Sequence, residues 1–202
     1  VYGYQLGRGL DYRYTYHLSD YWGTGMGVRY AFSRKAWNAS AYIERNWDEN
    51  RQHMQVSGGS TIQQINATDP ISSSINLFYA LFLSQNYLKL YQKDFMKANY
   101  ALQMNARWNL STTLEFRSRT SLENQEENGL FHKERHFESN GDLFPTSKQV
   151  FGSIQFRYQP LATWRRYNGS RWLSNENGPT ISSTYEQAVG DNAYSKVSLQ
   201  IA

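Results

Sequence analysis

The sequence predicts an all-β protein: an antiparallel up-and-down transmembrane β-barrel, present in part as about nine strands, with one short helix in an inter-strand connection. Three observations predict it. Apolar and polar residues alternate over long stretches, most clearly from Arg107 to Arg119. There Trp108, Leu110, Thr112, Leu114 and Phe116 are apolar or small, and Asn109, Ser111, Thr113, Glu115, Arg117 and Arg119 are polar or charged. Successive side chains of a strand point to opposite sides, so this segment has one dry face and one wet face. The segments also have a suitable length, because roughly 9–11 residues tilted at about 45° cross a bilayer as a strand. Finally, sixteen Tyr, ten Phe and six Trp supply rings that favour membrane–water interfaces, apolar in body and polar at the tip.

The first strand spans about Tyr2 to His17, with Leu10, Tyr12, Tyr14 and Tyr16 on one face and Asp11, Arg13 and Thr15 on the other. Leu18-Ser19-Asp20 makes a turn. The second strand sets Met26, Val28, Tyr30 and Phe32 against Gly23, Gly25, Gly27 and Arg29. A Gly-x-Gly-x-Gly spacing marks a nucleotide loop only in a strand–turn–helix context, and glycines sharing one strand face point to packing instead. The third strand places Trp37, Ala39, Ala41, Ile43 and Trp47 opposite Asn38, Ser40, Tyr42 and Glu44. Trp37 and Trp47 are spaced to mark both edges of an apolar band. After the polar turn at Asp48–Arg51, a fourth strand alternates Met54, Val56 and Ile62 with His53, Gln55 and Ser57.

The period then changes. Asp69 is a good N-cap, Pro70 suits the first helical position, and Ile71, Ile75, Phe78, Leu81 and Phe82 recur at helical spacing. A short amphipathic helix over about 70–84 is expected, its stripe packing on the wall or rim or, as the alternative, offering a docking surface to a partner. Strands resume from Asn86 to about Met104, then over Arg107–Arg119. A polar loop follows from Ser121 to Ser147, a seventh strand carries Val150, Ile154, Phe156 and Tyr158, and a second loop spans Leu161 to Gly178. The last hairpin pairs about Pro179–Ala188 with Ala193–Ile201. Strand-like residues at both termini predict an interior stretch of a longer protein. On that reading residues 1–202 are part of one barrel domain whose other strands lie elsewhere.

No run of about 18 apolar residues exists, which excludes a transmembrane helix and leaves a barrel open, since a barrel spends half its strand residues on a polar lumen. Cysteine is absent, which removes disulfides, thiolate catalysis and Cys-ligated zinc. The net charge of +4 is scattered, without the basic run of a nucleic-acid binder. Alternation also fits a soluble ligand-binding barrel with its apolar face inward. The polar face, however, is built largely from Arg, Gln, Asn, Ser, Thr and Gly, and the aromatic rows opposite would form a large exposed patch in water. A polar lumen lined by Arg13, Arg29, Glu115, Arg117 and Arg157, with Trp37, Trp47, Trp108, Trp164 and Trp172 as membrane-interface anchors, fits better.

Catalytic and metal chemistry is weakly marked. His132 and His136, interleaved with Glu134 and Glu138, are the best metal candidates, but a third ligand is unspecified and solvated loop histidines are common. No loop follows a calcium-binding spacing. His17 and His53 lie on strands without a marked Ser partner, and the Asn-x-Ser/Thr triplets at Asn38, Asn66, Asn109 and Asn168 read as chance matches. Trp164, Arg165, Arg166, Tyr167, Arg171 and Trp172 form the densest basic–aromatic patch, suited to anionic headgroups, with stacking on a sugar or peptide as the sharper alternative.

The block Asn86-Tyr87-Leu88-Lys89-Leu90-Tyr91-Gln92-Lys93-Asp94-Phe95 resembles a Bacteroidota outer-membrane family, the domain of unknown function 5686 group, usually found behind a carboxypeptidase-regulatory-like domain. Asp69-Pro70-Ile71-Ser72, Phe151–Tyr158 and the Pro179–Tyr185 strand extend the resemblance. So does Arg119-Thr120-Ser121-Leu122-Glu123-Asn124, which is similar to the family's Arg-x-Pro-Leu-x-Asn signature with Ser121 in the proline position. The resemblance implies a large outer-membrane barrel preceded by a periplasmic β-sandwich, and it supplies no catalytic residues. The expectation is therefore a non-enzymatic outer-membrane protein without cofactor, a structural, scaffold or transport subunit of an envelope complex. Its partners are outer-membrane lipid and other outer-membrane or periplasmic proteins, not nucleic acid. The alternatives are an outer-membrane enzyme with a loop-borne site and a soluble ligand-binding barrel.

Overall fold

The computed structural model describes residues 5–15, 20–31, 35–65 except 48 and 50, 89–122, and 145–202 except 169 and 175–177, with isolated positions between 72 and 82. Alternating segments become strands wherever period-2 patterning is sustained, and each long strand pairs with its sequence neighbour. The strands are β1 (Gln5–Thr15), β2 (Tyr21–Ala31), β3 (Ala36–Trp47), β4 (Gln52–Gln64), β5 (Leu90–Gln103), β6 (Trp108–Ser121), β7 (Ser147–Tyr158), β8 (Thr163–Tyr167), β9 (Ser170–Ser174), β10 (Ile181–Gly190) and β11 (Tyr194–Ile201). Nine of them form one antiparallel sheet in the order β1-β2-β3-β4-β5-β6-β7-β10-β11, and β8 and β9 pair separately. The up-and-down order matches the sequence expectation. Among the described residues the sheet does not close: β1 pairs only with β2 and β11 only with β10.

Two expectations are amended, and a third lies mostly outside the described residues. The stretch Leu161 to Gly178, expected as loop, contains the β8–β9 hairpin, paired from Thr163↔Ser174 to Tyr167↔Ser170. It is only five residues per strand, too short for periodicity to stand out. The strand expected from Asn86 begins at Leu90. No helix is delimited among the described residues. The stretch 70–84 lies mostly outside them, although Ile75 and Phe78 have helical backbone and are exposed.

Register sorts the side chains into lateral rows, because cross-strand partners share a face. One row runs Met26, Ala41, Gly58, Met96, Phe116, Val150 and Val189; another runs Ile43, Val56, Ala98, Leu114 and Gly152. A third joins Trp22, Arg45, Met54, Tyr100, Thr112, Ile154, Tyr185 and Val197. Arg45 is accommodated in that row with its guanidinium 5.2 Å from the Trp22 ring.

The glycines of β2 lie within a strand, not in a nucleotide loop. Gly23 faces Glu44, whose carboxylate occupies the space a Cβ would need. Gly59 ends the pairing of β3 with β4 at Ser40↔Gly59. Its φ of +143° suits glycine, and a Cβ there would collide with the Ala39 carbonyl oxygen. At the rim beyond β3 and β5, Arg51 donates from Nε to the Gln103 carbonyl (3.3 Å) and from Nη2 to that of Met104 (3.2 Å). Asn105 Oδ1 accepts from the backbone amides of Arg107 and Trp108, closing the β5–β6 turn.

Candidate functional site

The two faces of the sheet are buried in the opposite sense to a water-soluble domain. Large apolar residues on one face are open, Met96 at 61% and Trp37 at 69% exposed, whereas polar residues on the other are enclosed, Glu115 at 5% and Gln149 at 7%. Buried hydrophobic residues among those described are few: Leu90 and Leu122 pack together with Ile62 beside them, and Ala31, Ala162 and Ala188 lie apart from that cluster. Among the described residues, the enclosed face therefore carries the most closely linked polar and charged side chains.

That face is cross-linked by side-chain hydrogen bonds between neighbouring strands. Thr113 Oγ1 donates to Asn99 Oδ1 at 2.9 Å, and Asn99 Nδ2 donates to Gln55 Oε1 at 3.4 Å, joining β6, β5 and β4. Ser111 Oγ donates to Gln155 Oε1, and Gln155 Nε2 to Thr184 Oγ1, joining β6, β7 and β10. His53 lies 3.5 Å from Glu44, with no hydroxyl bonded to the imidazole among the described residues, so the pair lacks the third member of a hydrolytic triad.

The densest charge on this face comes from β5 and β6. Lys93 Nζ and Glu115 Oε1 form a 2.6 Å ion pair, both side chains largely buried. Glu115 thus reaches diagonally to Lys93, although Lys97 is its direct cross-strand partner. Arg117 donates from Nε to Gln149 Oε1 at 3.0 Å and lies 4.9 Å from the Phe151 ring. Gln149 in turn donates to the Asn192 carbonyl and, closely, to that of Asp191, fixing Arg117 to the β10–β11 turn. Arg119 lies 5.7 Å from the Tyr91 ring, whose hydroxyl donates to Gln63 Oε1.

Of the expected lumen charges, Glu115 and Arg117 sit in this cluster. Arg29 and Arg157 are exposed and make no ion pair among the described residues. Arg13 is placed by its backbone alone, opposite Gly23. Sequence reasoning did not single out Lys93 and Lys97. Their signal was present, since both alternate with Met96 and Ala98, but their convergence on Glu115 depends on the register of β5 with β6.

The expected anchors occupy both rims of the sheet. Trp108 stacks on Tyr158 (4.5 Å, 30°), and Trp47 contacts Tyr100 (6.3 Å) at the rim of the β3–β4 and β5–β6 turns; Trp37 contacts Tyr30 (4.8 Å) at the opposite rim. Trp164 and Trp172 both lie on the β8–β9 hairpin, where Trp172 pairs with Arg165 and Arg166 reaches Glu49 at 3.6 Å. His132 and His136 fall outside the described residues. Among the described residues, no three His, Asp or Glu side chains are grouped to hold a metal.

One family model matches the chain across residues 1–202. The chain belongs to the DUF5686 family. The matching model is that of the C-terminal domain of this family of unknown function, and it covers every element described above. No curated protein and no solved structure matches the chain.

Proposed function

We propose that this DUF5686 domain is part of the wall of a transmembrane β-barrel in the bacterial outer membrane, acting as a structural, scaffold or transport subunit of an envelope complex and not as an enzyme. The inverted burial carries this reading. Open rows of Met, Leu, Ile, Val and Phe cost little against lipid tails and a great deal against water, and a hydrogen-bonded polar face suits a wet lumen. On β6 the open face is apolar or small from Trp108 to Phe116, then turns polar at Ser118 and Thr120, giving a band of the height a bilayer needs. Aromatic pairs at both rims suit headgroup level. The barrel reading requires both β1 and β11 to find a strand partner, with each other or with further strands.

Outer-membrane lipid is the proposed partner of the open face, and other outer-membrane or periplasmic proteins those of the rims. The test is fractionation of cells expressing the full chain. Recovery with membranes, extraction only by detergent, and a folded band that shifts on heating before electrophoresis are expected. Recovery in the soluble fraction without detergent would overturn the proposal in favour of a soluble barrel.

A further inference from the structure

Across β4 to β7, one row of the enclosed face reads Thr61, Lys93, Arg119 and Ser147. Lys93 and Arg119 stand directly opposite each other, an arrangement that is destabilising unless negative charge lies between or beside them. Arg117 adds a cation one same-face step from Arg119, and Lys97 another two steps from Lys93, level with Glu115. Among the described residues the only carboxylate brought to them on this face is Glu115, and its 2.6 Å contact is with Lys93. Two donors in the row, Arg119 Nε and Thr61 Oγ1, are buried without a hydrogen-bond partner among the described residues. A buried donor without an acceptor is costly, and a guanidinium offers a fixed fork that matches an oxyanion. Arg119 is also held against the Tyr91 ring, so its position is prepared before any ligand arrives.

We infer that this row is a binding site for a phosphate-class oxyanion. Arg119 supplies the charge, Thr61 and Ser147 supply hydroxyl donors, and Lys97, Arg117 and the Lys93 that balances Glu115 set the local potential. The inference rests on the barrel reading for its setting. The row lies near the ends of β4 and β6, at the level where the open face turns from Met96 and Phe116 to Asp94 and Ser118. It therefore sits at the lumen mouth, close to the ends of β4 and β6, and takes its anion from water, not from the lipid.

The test is calorimetric titration of inorganic phosphate into the full chain folded in detergent, beside the fractionation described above. Saturable binding is expected, weakened at least tenfold by Arg119→Gln and by Lys93→Gln and changed less than twofold by Arg157→Gln. Heat-dependent migration establishes that each variant is folded. If either site variant fails to fold, the unmutated protein decides. Its unfolding midpoint should rise with phosphate and not with chloride of equal ionic strength, and absence of that rise overturns the site. Equal losses in Arg157→Gln and Arg119→Gln would show a diffuse field and overturn it as well. So would binding of phosphatidylglycerol micelles without binding of inorganic phosphate. A detergent-dependent protein that ignores phosphate refutes the site alone, and a soluble protein that binds phosphate refutes the barrel alone.

Discussion

The open and enclosed faces of the nine-stranded sheet use the same backbone and register, yet they are held together differently. On the open face, Met96, Leu114, Phe116 and Ile154 make an exposed apolar surface with no second layer over it among the described residues. On the enclosed face, Thr113, Asn99, Gln55, Ser111 and Gln155 bond across strands, and Glu115 is buried with a counter-ion. In a soluble sheet the apolar face would be covered and the polar face open. The reversal indicates that the surroundings, more than a conventional core, set which residue types each face tolerates.

Substitutions that exchange the character of the two faces test this contrast, and unfolding of the full chain from lipid vesicles, followed by tryptophan fluorescence, measures each. The largest effect is expected from Leu114→Arg, in the middle of the open band: a loss of about 2–4 kcal/mol in a membrane. The same change at an exposed position facing water would be nearly neutral, within about 0.5 kcal/mol, so a null result breaks the comparison outright. On the enclosed face, Glu115→Gln leaves Lys93 without its counter-ion. A dry pair would lose about 3–5 kcal/mol, and hydration of a lumen lowers the expected loss to about 2 kcal/mol. Restoring neutrality with Lys93→Met in the same protein should recover most of it.

Smaller effects sharpen the comparison at the rim and in the polar ladder. Trp108→Ala removes the stack on Tyr158 and should cost about 1 kcal/mol. Thr113→Val removes one link of the ladder while Asn99 keeps its bond to Gln55, so about 0.5–1 kcal/mol is expected. If Thr113→Val proves costlier than Leu114→Arg, the enclosed face is a conventional packed interior and the open face is not facing lipid.

Much of the fold was legible because the alternation is local. Each of the nine long strands was visible from its own residues, as Trp108 to Phe116 shows, and short turns such as Asn105–Arg107 left only a neighbouring strand within reach. The β8–β9 hairpin was not legible: Thr163-Trp164-Arg165-Arg166-Tyr167 has no alternation to distinguish it from loop. The candidate site was half legible. Arg117 and Glu115 stood out as charges on the polar face of β6, whereas Lys93 and Thr61 became part of one row only through pairing with distant strands.

The sequence by itself determined that this chain is a succession of two-faced strands with rings near their ends, because the period of a strand is written in consecutive residues. The tertiary structure decided which face is enclosed, which cation holds Glu115, and that Lys93 stands against Arg119. Those outcomes depend on the register and curvature that strands from separate parts of the chain impose on one another.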